Sequence, residues 1–172
     1  MRHVVLLTTG GTIEKTYDER EGVLENRRSI VRLMLRHLRL EDTRIHTRQL
    51  MSKDSLVMTD QDRAHIVDAV RETLLAEPAP AGIVILHGTD TLCVTGERIL
   101  ASLGSPPVPI ILTGAMRPYE MTRTDALQNL TEAIFATGVL SPGVYCVAHG
   151  RALAFPGVVK DRDKGTFTRP VS

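Results

Sequence analysis

Residues 82–91, Gly82-Ile83-Val84-Ile85-Leu86-His87-Gly88-Thr89-Asp90-Thr91, pass directly from an apolar run to a cluster of polar groups. An apolar run of this length, bounded by turn-forming residues, reads as a buried strand. Val94-Thr95-Gly96-Glu97-Arg98-Ile99-Leu100 follows and reads as a helix, so a hydroxyl and a carboxylate stand side by side where strand gives way to helix. In open α/β sheets, ligands bind at the carboxyl ends of strands. The chain opens on the same build: Val4-Val5-Leu6-Leu7 is a strand and Thr8-Thr9-Gly10-Gly11-Thr12 its polar end. Two strand ends, each presenting a threonine beside glycine, predict a site for a small polar molecule.

Outward from these two points, strands and helices alternate. Val108 to Thr113 and Val144 to Ala148 are further apolar strands, ending in Gly114-Ala115-Met116-Arg117-Pro118 and His149-Gly150. Thr43 to Leu50 alternates and reads as an edge strand. Helices are expected from Ser29 to about Leu38, from Thr59 or Asp60 to about Ala76, from 94 to 103 with Gly104 as C-terminal cap, and from Asp125 to Thr137. Residues 9–28 form a long polar loop, of which 14–24 are expected to be a mobile lid. Residues 151–172 read as loop, with a short strand at Ala152 to Phe155. This alternation predicts βαβ units in a doubly wound, mainly parallel sheet, Rossmann-like or flavodoxin-like, with helices on both faces.

Composition bounds the function. A chain of 172 residues suits one domain. Its size lets it bury roughly 70% of its unfolded surface, so it needs no staples. Aromatic residues are only 3% and tryptophan is absent, which argues against a stacking platform for single-stranded nucleic acid. Lysine plus arginine total 21 against 20 acidic residues, with no basic stripe, so no nucleic-acid partner is expected. Cys93 and Cys146 form no CxxC or metal spacing and read as buried thiols in a reducing compartment. The first apolar run ends within four residues, too short for a signal peptide, and no run reaches membrane-spanning length. A cytoplasmic protein without a membrane partner is the expectation. No ligand cluster calls for a metal or a cofactor.

Each motif has a bland reading beside a chemical one. Gly10-Gly11-Thr12 is not a nucleotide loop, since neither GxGxxG nor Gly-Lys-Ser/Thr is present. It either makes a turn or presents Thr12 as a nucleophile beside backbone N–H groups able to stabilise a developing oxyanion. Thr89 and Asp90 either cap the next helix or take part in chemistry. Asp54 and Ser55 read as loop residues before a helix, Lys160 as a surface lysine, Arg117 as a partner for a carboxylate, and His149 as structural or solvent-facing. A lysine serves as a base only where burial or nearby charge lowers its pKa.

As a set the motifs are more specific. Thr9-Gly10-Gly11-Thr12-Ile13, His87-Gly88-Thr89-Asp90-Thr91 and Gly114-Ala115-Met116-Arg117-Pro118, in this order after three strands, resemble the L-asparaginase/glutaminase family, whose two signature segments are of the TGGTI and HGTDT types. The resemblance covers nearly the whole chain and is to the amino-terminal domain of a two-domain enzyme. The family's carboxy-terminal domain is expected to be absent, as in short single-domain asparaginases. In the two-domain enzymes that domain, from a neighbouring subunit, helps close the site on the substrate's α-amino group. Substrate affinity and Asn/Gln discrimination are therefore the properties its absence would touch.

The resemblance implies hydrolysis of L-asparagine to L-aspartate and ammonia through an acyl-enzyme on threonine, without cofactor. It implies Thr12 as the first nucleophile and a triad of Thr89, Lys160 and Asp90 in which the lysine activates Thr89. Gly11 and Thr89 would lend N–H groups to the oxyanion hole. Ser55 would bind the α-carboxylate and Asp90 the α-amino group, with Asp54 beside them and Tyr17 as the lid tyrosine. A homodimer or homotetramer is implied by the same analogy. Two other readings stand against it: the ammonia-producing subunit of an amidotransferase, and a non-catalytic amino-acid-binding module. The joint presence of Thr12, Thr89 and Lys160 argues against the module.

Overall fold

β1 (Arg2–Gly10) and β5 (Gly82–Leu86) lie side by side at the centre of the molecule, parallel, with Thr8 opposite Leu86. They belong to a six-stranded sheet in a computed structural model that describes residues 1–170. The other strands are β4 (Thr43–Lys53), β6 (Pro109–Thr113), β7 (Gly143–Ala148) and β8 (Arg151–Ala154), in the spatial order β4-β1-β5-β6-β7-β8. All neighbours are parallel except β7 and β8. Counting only the parallel strands in chain order, the sequence across the sheet is the doubly wound 2-1-3-4-5 order. Its direction reverses between β1 and β5, and the crevice at such a reversal is where ligands lodge.

Side chains alternate across the strands with period two and so divide the core between the two faces. Leu7, Ile83, Ile85, Ile110 and Leu112 pack on one face against Ile66, Val67 and Val70 of α2 (Asp60–Leu74) and Leu92 and Ile99 of α3 (Leu92–Leu103). Leu6, Val84, Leu86 and Ile111 pack on the other against Val31 and Met34 of α1 (Val31–Leu35) and Leu130, Ala133 and Ile134 of α4 (Ala126–Ala136). β5 and β6 are buried along their whole length, which explains why they are unbroken apolar runs. β4 is an edge strand as expected, and it runs on to Lys53. Thr59 rather than Asp60 caps α2, in a capping box with Asp62.

Three expectations are corrected. The loop after Thr12 is organised: a 3-10 turn at Thr12–Glu14 leads into a hairpin of β2 (Thr16–Asp18) and β3 (Val23–Glu25). Ser29 does not open a long helix. α1 starts after Ile30 and stops at Leu35, and the Ser29 hydroxyl is drawn to the buried Glu14 carboxylate. The segment after Gly150 is not mainly loop, because β8 is followed by a second hairpin of β9 (Val159–Asp161) and β10 (Thr166–Thr168). Residues 171–172 of that segment lie outside the described residues. Cys93 and Cys146 are free thiols held above their ordinary pKa by burial.

Candidate active site

Three turns meet where β1 and β5 end, and glycine lets them meet. Gly11 sits at φ 79°, and a Cβ on it would fall 2.5 Å from the Gly88 Cα. A Cβ on Gly88 would fall 2.5 Å from the Ser55 Oγ. Contacts this close are open only to residues without side chains. The turn of residues 10–12 therefore packs backbone against backbone on that of residues 87–89, which in turn takes the Ser55 side chain of the 3-10 turn Ser55–Val57 against Gly88. Thr9 Oγ1 donates to the Leu86 carbonyl at 2.8 Å and Thr91 Oγ1 to the Ser55 carbonyl at 3.0 Å, fastening the junctions. Thr12, Thr89 and Ser55 are thereby gathered at one crevice, at the reversal of the sheet.

Lys160 reaches this crevice from β9. Its Nζ lies 2.8 Å from Thr89 Oγ1 and 3.0 Å from Asp90 Oδ1, and its side chain is only 16% exposed. The surface reading of Lys160 is thus replaced by that of a largely buried cation on a hydroxyl and a carboxylate. Phe167 of β10 stands opposite Lys160 in the hairpin and is buried in the core, which anchors the strand that carries the lysine.

His87, beneath the turn, is fully buried. Its Nδ1 lies 2.8 Å from the Gly88 carbonyl and its Nε2 2.8 Å from Thr95 Oγ1. A carbonyl only accepts, so Nδ1 carries the hydrogen and Nε2 accepts from the threonine hydroxyl. That is the neutral ring, and burial pushes its pKa down to about 4. On the other side of the crevice, Glu14 takes the Gly10 N–H at 3.3 Å and the Ser29 hydroxyl, and its burial raises its pKa.

The remaining site residues fall at different distances from this centre. Ser55 Oγ accepts the Thr91 N–H at 3.3 Å, which leaves the hydroxyl hydrogen for another acceptor. Asp54 pairs with Lys15 Nζ at 2.8 Å, and this partner holds its carboxyl below the usual carboxylate range. Gly11 lends no amide to the crevice, since its N–H donates to the Lys53 carbonyl at 2.9 Å. The Thr12 and Thr89 amides have no acceptor among the described residues. Tyr17 is 59% exposed on β2, and its hydroxyl lies over Gly22 of its own hairpin rather than against Thr12.

Sequence reasoning missed Arg162, whose Nη2 lies 3.0 Å from the same Asp90 oxygen that Lys160 holds. Arg162 opens the turn that follows β9, where no periodic signal in the sequence marks it. Sequence reasoning also missed the role of His149, whose Nε2 lies 2.7 Å from Asp125 Oδ2 and whose Nδ1 lies 2.8 Å from Thr166 Oγ1. Among the described residues no group of three or more His, Cys, Asp or Glu is placed to hold a metal ion, and no helix is long and apolar enough to cross a membrane.

The family described as "Asparaginase, N-terminal" matches residues 3–166. An L-asparaginase of Thermococcus kodakarensis is 36% identical over 143 residues, 83% of this chain and 42% of that protein. A glutamyl-tRNA(Gln) amidotransferase component of Methanococcus vannielii is 30% identical over 153 residues, 87% of this chain and 35% of that protein. The solved structure of the thermostable T. kodakarensis L-asparaginase superposes with a TM-score of 0.86 at 29% identity, covering 97% of this chain and 51% of that one. A probable cytoplasmic L-asparaginase of Campylobacter jejuni gives 0.82 at 25% identity, covering 99% of this chain and 52% of that one. The chain thus spans about half the length, or less, of the relatives it matches. A doubly wound sheet with this order of motifs, matched over nearly all its length, places the chain in the asparaginase family, whose N-terminal domain it corresponds to.

Proposed function

We propose that the protein is an amidohydrolase that converts L-asparagine to L-aspartate and ammonia through a threonine ester. The observation that carries the reading is the lysine bridge: Lys160 Nζ within hydrogen-bond reach of both Thr89 Oγ1 and Asp90 Oδ1, beside the turn that presents Thr12. In the first half-reaction the Thr12 hydroxyl oxygen adds to the side-chain amide carbon and gives up its proton, which ends on the departing nitrogen. The tetrahedral oxyanion is held by the Thr12 and Thr89 amides, and the C–N bond then breaks to release ammonia. In the second, Thr89, held in place by Lys160, relays a proton from the attacking water to the departing Thr12 oxygen, so L-aspartate leaves and Thr12 is restored.

Substrate recognition is proposed from the same crevice. The free hydrogen of Ser55 Oγ meets the α-carboxylate, and Asp90 meets the α-ammonium through its second oxygen. The Lys15–Asp54 pair borders this pocket, and Tyr17 belongs to the hairpin that covers it as a lid. We further propose cytoplasmic residence, no requirement for cofactor or metal, and assembly as a homodimer or homotetramer. Light scattering of the purified chain tests the assembly.

Ammonia release from L-asparagine tests the activity. Lys160→Met should lower turnover by more than about 100-fold, the lower end for loss of a positioned acid–base group. Wild-type turnover in that variant would remove the bridge from the chemistry. A second reading, the ammonia-producing subunit of an amidotransferase, draws on the glutamyl-tRNA(Gln) amidotransferase relatives. It predicts slow ammonia release from the isolated chain and faster release with a partner. A binding module would take up asparagine and release nothing.

A further inference from the structure

Asp90 faces two cations with one carboxylate. Lys160 Nζ and Arg162 Nη2 each lie 3.0 Å from its Oδ1, and among the described residues no side-chain hydrogen bond reaches Oδ2. The other cations nearby are matched: Lys15 by Asp54 at 2.8 Å and Lys164 by Asp161 at 3.3 Å. The Asp90 carboxylate is therefore offset from its outer side by the Arg162 guanidinium as well as by Lys160. Lys160 is largely buried and engaged with Thr89, whereas Arg162 is 69% exposed and reaches Asp90 from the outer side.

We propose that Arg162 is a specificity-determining residue that lowers selection for a free α-ammonium and broadens the substrate class to carboxamides bearing a carboxylate but no free α-amino group, such as des-amino analogues. The inference rests on the reading of Asp90 as the ammonium-binding carboxylate. An ammonium arriving at Oδ2 gains the attraction of Asp90 but meets the repulsion of a guanidinium already on Oδ1. A ligand without the ammonium loses nothing there, and its carboxylate is drawn by the guanidinium. Arg162 touches neither Thr12 nor Thr89, so its effect belongs to binding rather than turnover. Because the arginine is exposed, the effect is moderate and screened by salt.

The test is calorimetric binding of L-aspartate and of succinate, at low ionic strength, to wild type and to Arg162→Ala. Ammonia release from L-asparagine and succinamate is measured in parallel. The ratio of the succinate Kd to the L-aspartate Kd should rise about fivefold in the variant, within the range of a removed surface ion pair. The rise should shrink at roughly 0.5 M salt. Arg162→Lys, which keeps the charge, should hold the wild-type ratio, and kcat for L-asparagine should change less than about twofold in either variant. A ratio unmoved in Arg162→Ala, with wild type hydrolysing L-asparagine, overturns this inference alone. A shifted ratio without turnover by wild type supports the inference and removes the hydrolase reading. Absence of both binding and turnover in wild type overturns both.

Discussion

Two threonines stand at the crevice, and only one holds the lysine. Thr89 is buried and receives Lys160 Nζ at 2.8 Å, while Thr12 begins a 3-10 turn after a glycine whose amide is already committed to Lys53. This asymmetry fits a division of labour, with the more accessible hydroxyl attacking and the lysine-held one handling the proton and the water. Thr89→Val should then complete the first half-reaction and stall, leaving an ester on Thr12. Thr12→Val should form no ester at all. Mass spectrometry of each variant after brief exposure to asparagine reads this directly. An adduct on any residue other than Thr12, or normal turnover in Thr12→Val, would reverse the assignment. Each loss of turnover is expected to exceed roughly 100-fold.

Among the elements, the β9–β10 hairpin carries the lysine and is held to the sheet by a polar relay. The Asp125 carboxylate accepts the Met116 and Arg117 amides and lies 2.7 Å from His149 Nε2, while His149 Nδ1 lies 2.8 Å from Thr166 Oγ1 on β10. A carboxylate only accepts, so the imidazole donates to it and orients toward the hairpin. Thr166→Val cuts the relay at the hairpin. It should lower kcat by about tenfold with little change in KM, since a small misplacement of a catalytic group costs rate rather than affinity. Thr166→Ser should restore it, and an unchanged kcat in Thr166→Val would show that the buried Phe167 and the Arg151 bond to its carbonyl position the lysine without the relay.

Neither hairpin was legible in the sequence. Thr16-Tyr17-Asp18 and Val23-Leu24-Glu25 lie mostly on the surface and carry no apolar alternation, and β9 and β10 are three residues each. The central strands were legible because burial on both faces demands continuous apolar runs. The glycine–threonine turns were legible because close backbone approach demands glycine. Glu14 and the His149 relay were not, because a buried polar partner found by long-range packing leaves no periodic trace.

For the whole molecule, acid is the revealing perturbation. His87 is neutral in the fold with its pKa pushed down to about 4, whereas the unfolded chain binds that proton near pH 6.5. Between these values the unfolded state holds more protons, so stability is complete above about pH 6.5 and falls as the pH drops toward 4. The loss at the foot of the window is on the order of 3 kcal/mol. Glu14 works in the opposite sense: its raised pKa makes the fold take up a proton first, so its contribution is present below pH 4.5 and lost as the pH rises through its folded value. In a Glu14→Gln variant, where His87 acts unopposed by that carboxyl, urea denaturation between pH 8 and 5 should therefore show decreasing stability. An NMR titration should find the His87 ring still neutral at pH 5.5, and a ring that protonates near 6.5 would contradict the neutral hydrogen-bonded pair with Gly88 and Thr95.

The contact between the Gly11 and Gly88 turns also bears on how this protein can change. The place where the threonines are set is defined by atoms that are missing, and no residue larger than glycine can be added there without parting the turns. Chemistry at the centre is thus closed to gradual substitution. Arg162, Lys15 and Tyr17 stand at the rim, partly or largely exposed, and can be exchanged without disturbing the seam. Mutational drift, or a library, will find its variation there, so that what the pocket admits can diverge while the threonine seam stays the same.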